Sequence, residues 1–165
     1  MAKRQVFFSF HYARDSWRAS QVRNMGKVSD SSTFSDNDWE EVRCKTDSRI
    51  REWIDDQLSI RSCLVVLVGL QTSERKWVKY EIEKAMQLHK GIVGIRINRL
   101  KDSKGNYDEE GANPFYSVFT DEGHRLSNYV TLFKSQYSSS TYVYNDIEEH
   151  IDDLIENAID NRFDY

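Results

Sequence analysis

The segment from Cys63 to Gly69 constrains the fold of this chain more than any other part of the sequence. It consists of Cys-Leu-Val-Val-Leu-Val-Gly, with no polar side chain that would face solvent. A strand of this kind is typically buried on both faces, as in a parallel sheet covered by helices. The run is also too short to span a bilayer. We therefore expect a central parallel strand here, with Cys63 as a buried thiol.

Other apolar runs and helical periodicities surround this strand. Further strands are predicted at Gln5–Phe10 and Gly91–Ile97, with weaker candidates at Thr33–Phe34, Tyr129–Phe133 and Thr141–Tyr144. Four helices are predicted. The first runs from an N-cap at Asp15 to about Gly26, and the second begins after a cap at Thr46 or Asp47. The third runs from about Arg75 to a C-cap at Gly91, and the last begins after a cap at Asn145. The buried stripe of the last helix would be Ile147, Ile151, Leu154, Ile155 and Ala158.

The alternation of buried strands with helices predicts one α/β domain over residues 1–165. We expect a doubly wound, flavodoxin-like architecture with a mainly parallel sheet of about five strands. Residues 98–128 are loop-like, and a loop of this length inside a compact domain is often functional.

The composition disfavours several classes of function. The net charge is −4, which argues against a nucleic-acid binder because phosphate contacts need a concentrated basic surface. The start of the chain has no long apolar stretch, so we expect no signal peptide, no membrane contact and a cytoplasmic location. The histidines and cysteines follow no metal-ligand spacing, and no metal site is expected. Glycine-rich phosphate loops and the Gly-x-Ser-x-Gly elbow are absent from the sequence.

Doubly wound folds bind ligands at the carboxyl ends of their strands. Polar and aromatic residues lie at these places: Ser9, Phe10, His11 and Tyr12 after the first strand, Gln71, Thr72 and Ser73 after the central strand, and Asp36, Asp38 and Trp39 in a connection. This mixture suits a nucleotide-like ligand. A phospho-acceptor receiver domain has the same fold, but it needs an acidic cluster after the first strand, where this chain has Ser-Phe-His.

Glu81 is the most unusual residue of the third predicted helix. On a helical wheel it falls inside the apolar arc, between Ala85 and Leu88. A carboxylate there costs free energy unless it is paired or used. The helical pattern alone slightly favours a structural explanation, either exposure at the rim or an ion pair with an arginine such as Arg75 or Arg96. Catalysis is the other explanation.

Two segments of the chain have a family resemblance: residues 6–12 with the acidic Asp15 shortly after them, and residues 63–73 followed by Trp77-Val-Lys-Tyr-Glu81. The first resembles the first box of TIR domains, and the second resembles their third strand and Trp-x-x-x-Glu motif. Among TIR domains, the chain is similar to the TIR-like ThsB sensors of bacterial Thoeris antiphage defence. Residues 75–82 and the segment from 92 to 115 are similar to ThsB in particular. The resemblance covers about residues 3–116 well, whereas residues 35–39 lack the proline-glycine character of receptor TIR domains.

The resemblance implies an enzyme that cleaves the nicotinamide–ribose bond of NAD and makes a cyclic or conjugated ADP-ribose signal. Glu81 would be the catalytic carboxylate. The implied substrate contacts are Ser9, Phe10, His11, Asp36, Asp38, Ser73 and Trp77. NAD is then a substrate, and no cofactor is implied. The implied partners are a signal-responsive Thoeris effector, a phage-derived trigger and, as a further option, a second copy of the chain. The alternative is a catalytically silent TIR-like module that signals through protein contacts.

Overall fold

The computed structural model describes residues 3–28 and 45–165. Four parallel strands of these residues form one sheet in the order β1-β2-β3-β4. The strands are β1 (Val6–Ser9), β2 (Cys63–Val68), β3 (Gly91–Arg96) and β4 (Leu132–Phe133). Cys63 is in register with Val6 on one side and with Gly91 on the other. The prediction of a central parallel strand with a buried Cys63 is confirmed.

Helices pack on both faces of this sheet. They are α1 (Tyr12–Arg23), α2 (Asp47–Ser59), α3 (Lys76–Gln87) and α4 (Ser140–Asp160). Phe8 and its neighbours on one face of the strands share a core with α1 and α4, whereas Phe7 and its neighbours on the other face pack with α2 and α3. The doubly wound α/β fold is therefore confirmed, and the described residues contribute four strands to a sheet predicted to have about five. The predicted strand at Thr33–Phe34 lies outside the described residues.

The start of α4 corrects one prediction. Thr141–Tyr144 is helical rather than extended, and Asn145 lies inside the helix, because the N-cap is Ser139. Aromatic and β-branched residues favour strands locally, but here tertiary packing decides the outcome. The buried stripe repeats every four residues as Val143, Ile147, Ile151, Ile155 and Ile159. Leu154 and Ala158, which were predicted to belong to it, are only partly buried.

Two predicted caps are also wrong. His11 rather than Asp15 caps α1, and its Nδ1 accepts a hydrogen bond from the Arg14 N–H at 3.2 Å. At the other end of the fold, Gly91 begins β3 instead of ending α3. A Cβ atom at Gly91 would lie 2.8 Å from the backbone nitrogen of Ile159, so the glycine permits close packing of α4. Because α3 ends at Gln87, His89 is exposed and does not belong to the core face.

The chain between β3 and β4 has little regular structure, as predicted for residues 98–128. It contains a short 3-10 helix at Leu126–Asn128 and an isolated bridge between Phe119 and Arg125. Its side chains nevertheless join the core on the α2–α3 face, where Phe115 and Leu126 are fully buried. The strand predicted at Tyr129–Phe133 is reduced to Leu132–Phe133. None of the helices in the described ranges is long and apolar enough to cross a membrane.

Candidate active site

A cavity of about 230 Å³ opens at the carboxyl end of β1, beside the start of α3. It is lined by Phe10, Tyr12, Ala13, Arg75, Trp77, Val78 and Glu81. Phe10 directly follows β1, and Trp77 and Glu81 lie one turn apart on α3. The cavity therefore occupies the edge of the sheet where doubly wound folds bind their ligands.

Glu81 is the carboxylate of this cavity, and it is only 5% exposed. Its Oε2 atom is buried and has no hydrogen-bond partner among the described residues. Arg96, one of the two candidate ion-pair partners, donates instead to the Gly111 carbonyl oxygen at 2.7 Å and lies 3.6 Å from Glu110. Arg75 is exposed at the cavity mouth. Within residues 3–28 and 45–165, neither the ion pair nor the exposed rim position predicted for Glu81 is present.

Burial controls the protonation of Glu81. The loss of hydration raises the pKa of its carboxyl group to about 8, because a charge is costly in apolar surroundings. The nearby Ser9 hydroxyl opposes this effect. It does so without hydrogen-bond geometry, since Ser9 Oγ is itself buried without a partner among the described residues. Proteins normally give buried polar groups a hydrogen-bond partner. The adjacent Glu81 and Ser9 side chains at this end of β1 are thus available to a ligand.

The structure brings together part of the predicted site. Phe10, Trp77 and Glu81 line the cavity, and Ser9 lies beside Glu81. His11 is buried next to them but does not line the cavity, and its Nδ1 is engaged in capping α1. Burial and the positive charge of Arg75 lower the pKa of His11, which keeps its ring neutral.

The other predicted contacts are not part of this arrangement. Ser73 is half-buried on the 3-10 turn Thr72–Glu74 that precedes α3, and it does not line the cavity. Asp36 and Asp38 lie outside the described residues.

Three lining residues are not predicted as ligand contacts from the sequence: Ala13, Arg75 and Val78. Tyr12, which directly follows Ser-Phe-His after the first predicted strand, lines the cavity as expected for that position. It stacks on Phe10 with a centroid distance of 6.4 Å, which makes one aromatic wall. Arg75 immediately precedes α3, so its position at the cavity mouth follows only once the start of that helix is known.

Two larger cavities lie elsewhere, with volumes of about 270 Å³ and about 490 Å³. The first is beyond the end of α3 and is lined in part by Met86, His89 and Phe163. The second is beside the start of β1 and is lined in part by Lys3 and Glu156. Neither of them includes a described residue with a buried, unpartnered polar side chain. The unsatisfied carboxylate therefore makes the cavity at Glu81 the better candidate for chemistry.

A histidine–carboxylate group on α4 corrects another prediction. Ligand atoms of Asp146, Glu149 and His150 lie within 4.8 Å of one another, so His150 does have neighbours at metal-binding distance. Its Nδ1 is 2.8 Å from the Asp146 carbonyl oxygen, which raises the pKa of His150. Asp146 is buried and also accepts a hydrogen bond from Ser135 at 2.6 Å. These groups mainly satisfy one another, and none of them lines the cavity at Glu81.

Comparisons with known proteins concern the same part of the chain. Residues 7–102 match a family described as "Thoeris protein ThsB, TIR-like domain", and this segment contains Ser9, Phe10, Trp77 and Glu81. A protein of Bacillus cereus (strain MSX-D12) named "Putative cyclic ADP-D-ribose synthase ThsB1" is 41% identical over 120 residues. The alignment covers 70% of this chain and 62% of the relative, which is less than two thirds of the relative's length.

Proposed function

This chain belongs to the TIR-like family of the Thoeris protein ThsB, and from that premise we propose that it cleaves NAD and converts the ADP-ribose part into a nucleotide signal. The name of the relative supports a cyclic product. A separate Thoeris effector would receive the signal, and a phage-derived trigger would start its production. The observation that carries the proposal is the buried, unpaired carboxylate of Glu81 in an aromatic-lined cavity.

Cleavage of the nicotinamide–ribose bond needs only one carboxylate. The bond from ribose C1′ to the pyridinium nitrogen breaks with both electrons moving to nitrogen, so nicotinamide leaves as a neutral molecule without an acid. The ribose acquires oxocarbenium-like charge, which a fixed carboxylate stabilises. Ordinary glycosidases use two carboxylates, because their leaving oxygen must be protonated. Glu81 is the one carboxylate among the described lining residues, which fits the single-carboxylate case.

The aromatic residues suit the remaining steps of the reaction. Phe10, Tyr12 and Trp77 offer ring surfaces against which a nicotinamide or adenine ring would stack. The oxocarbenium carbon is then captured by a nucleophile. Water would give ADP-ribose and release a proton, whereas an atom of the ADP-ribose part itself would close a ring.

The charge state of Glu81 is coupled to the substrate in this mechanism. With a pKa of about 8, most of the free protein carries a neutral Glu81 near pH 7. A pyridinium ring bound beside it favours the ionised form, because opposite charges lower the pKa of a carboxyl group. The Ser9 hydroxyl would contact a ribose hydroxyl, and the family resemblance keeps Asp36, Asp38 and Ser73 as proposed contacts.

Replacing Glu81 by Gln tests the proposal. The substitution keeps the size of the side chain and removes its charge, so NAD-derived product should fall by about 10²–10³ in rate. The measurement is mass spectrometry of products from NAD, with lysate of infected cells added where the parent protein needs it. Melting temperatures measured in parallel show whether the variant is folded.

Glu83→Gln is the matched control on the same helix. Its side chain is 43% exposed and lies 4.0 Å from Lys79, so the variant should keep parental turnover. A folded Glu81→Gln protein with near-parental turnover would rule out the catalytic role and favour a module that signals by contact alone.

A further inference from the structure

The mouth of the Glu81 cavity is basic, although the net charge of the chain is −4. Three cations surround Trp77. Arg75 lines the cavity with it, the Arg51 guanidinium carbon lies 5.9 Å from the ring centroid, and Lys76 Nζ lies 4.7 Å from the centroid. Trp77 therefore lines the same cavity as the buried Glu81 carboxylate and has Arg51 and Lys76 near its ring.

Asp47 neutralises part of this charge, because it pairs with Lys76 and also lies near Arg51. Arg75, in contrast, forms no ion pair within residues 3–28 and 45–165. The start of α3 adds to the positive electrostatic potential at the cavity mouth, because no side chain caps this helix and its first turn contains no acidic residue. Free N–H groups at a helix start bind anions, and phosphate groups are the common case.

The inner end of the cavity supplies the second observation. Glu81 lines the cavity, and its Oε2 and the nearby Ser9 Oγ are buried without hydrogen-bond partners among the described residues. A ligand that satisfies both ends has an electron-poor ring and sugar hydroxyls at one end and an anionic group at the other. Arg75 directly precedes α3, Glu81 follows six residues later on the same helix, and both line the one cavity.

We infer that Arg75, assisted by Arg51 beside Trp77, binds the diphosphate of the dinucleotide substrate. The inference rests on the proposed function and adds a determinant of specificity to it. The guanidinium of Arg75 presents paired donors that match phosphate oxygens. The chain would therefore select a dinucleotide over a nicotinamide nucleoside, which has the same scissile bond but no phosphate.

Calorimetric titration with ADP-ribose tests this inference without any turnover. Arg75→Gln should weaken ADP-ribose binding by about 10- to 100-fold, the effect of losing charged hydrogen bonds. Lys104→Gln removes one positive charge from an exposed side chain that does not line the cavity, so it should bind like the parent. In cleavage assays Arg75→Gln should raise KM for NAD, leave kcat nearly unchanged and leave cleavage of nicotinamide riboside at the parental rate.

The outcomes separate this inference from the proposed function. Equal ADP-ribose affinity of the parent and Arg75→Gln overturns the inference, even where NAD cleavage persists. Absence of ADP-ribose binding by the parent also overturns it. Binding that depends on Arg75 in a protein that cleaves no NAD supports the inference and contradicts the proposed reaction. A fall of kcat for both substrates would place Arg75 in catalysis instead and would contradict a diphosphate role.

Discussion

Two carboxyl groups are buried on opposite faces of the sheet, and they differ in the charged groups that surround them. On the α1 side, Asp15 is fully buried and accepts a hydrogen bond from Arg18 Nη1 at 3.0 Å. On the α3 side, Glu81 is 5% exposed and has no ion pair with a described residue. Each retains one buried oxygen without a hydrogen-bond partner in the described ranges. Only the α1 side therefore supplies a countercharge.

The contrast distinguishes a structural carboxylate from a reactive one. Burial raises the pKa of Asp15, but the hydrogen bond and charge of Arg18 oppose that rise. Arg18 also donates to the carbonyl oxygens of Leu100 and Asn106, so this pair ties the segment after β3 to α1. Glu81 makes no comparable tie to a described residue. A buried carboxyl group of this kind is a candidate for function, because perturbed pKa values concentrate at functional sites.

The largest effect on stability is expected from Arg18→Met. The substitution leaves Asp15 buried without a countercharge, and such a loss costs about 3–5 kcal/mol of unfolding free energy. Urea denaturation measures it. Arg14→Met is the comparison, because Arg14 is half-exposed in its pair with Asp108 and should cost no more than about 1 kcal/mol. Equal losses of unfolding free energy for Arg18→Met and Arg14→Met would contradict the structural role assigned to the Asp15–Arg18 pair.

A smaller effect, with the opposite sign, is expected for the stability of Glu81→Gln. The folded-state pKa of Glu81 is about 8, compared with 4.5 for the free side chain, so folding favours the protonated form. The parent therefore loses stability as the pH rises from about 5 through 8, whereas Gln does not titrate. Between pH 5 and pH 8 the variant should gain roughly 2–4 kcal/mol relative to the parent. Urea unfolding curves that shift in parallel for both proteins would show that Glu81 has an ordinary pKa.

Local pattern predicted much of this account from sequence. The apolar run of β2 indicated a central buried strand, and the helical wheel placed Glu81 in an apolar arc. The catalytic role of Glu81 was implied by the resemblance to TIR domains and not by the helical pattern. Phe10 and Trp77 were also predicted, and both line the cavity.

The features that were missed depend on side-chain packing and on where helices begin, and some of these contacts join distant parts of the chain. The role of Asp15 became clear only through Arg18, which also contacts Asn106 far along the sequence. The helical start of α4 depends on the packing of Val143 in the core with α1. Arg75 reaches the cavity mouth only because α3 begins directly after it. The sequence pattern predicts whether a segment is a helix or a strand, whereas tertiary packing determines where the segment ends and which residues it contacts.

The pH dependence of kcat/KM for NAD tests the central claim most directly, since it reports the pKa of the essential group in the free enzyme. If ionised Glu81 stabilises the developing cation, kcat/KM rises about tenfold per pH unit below pH 7 and levels off above an apparent pKa near 8. The parent should show this rise, and the residual activity of Glu81→Gln should not. A parental profile that is flat from pH 6 to 9, or that has already levelled off near pH 5, would contradict the claim that a buried, unpaired Glu81 carries the reaction.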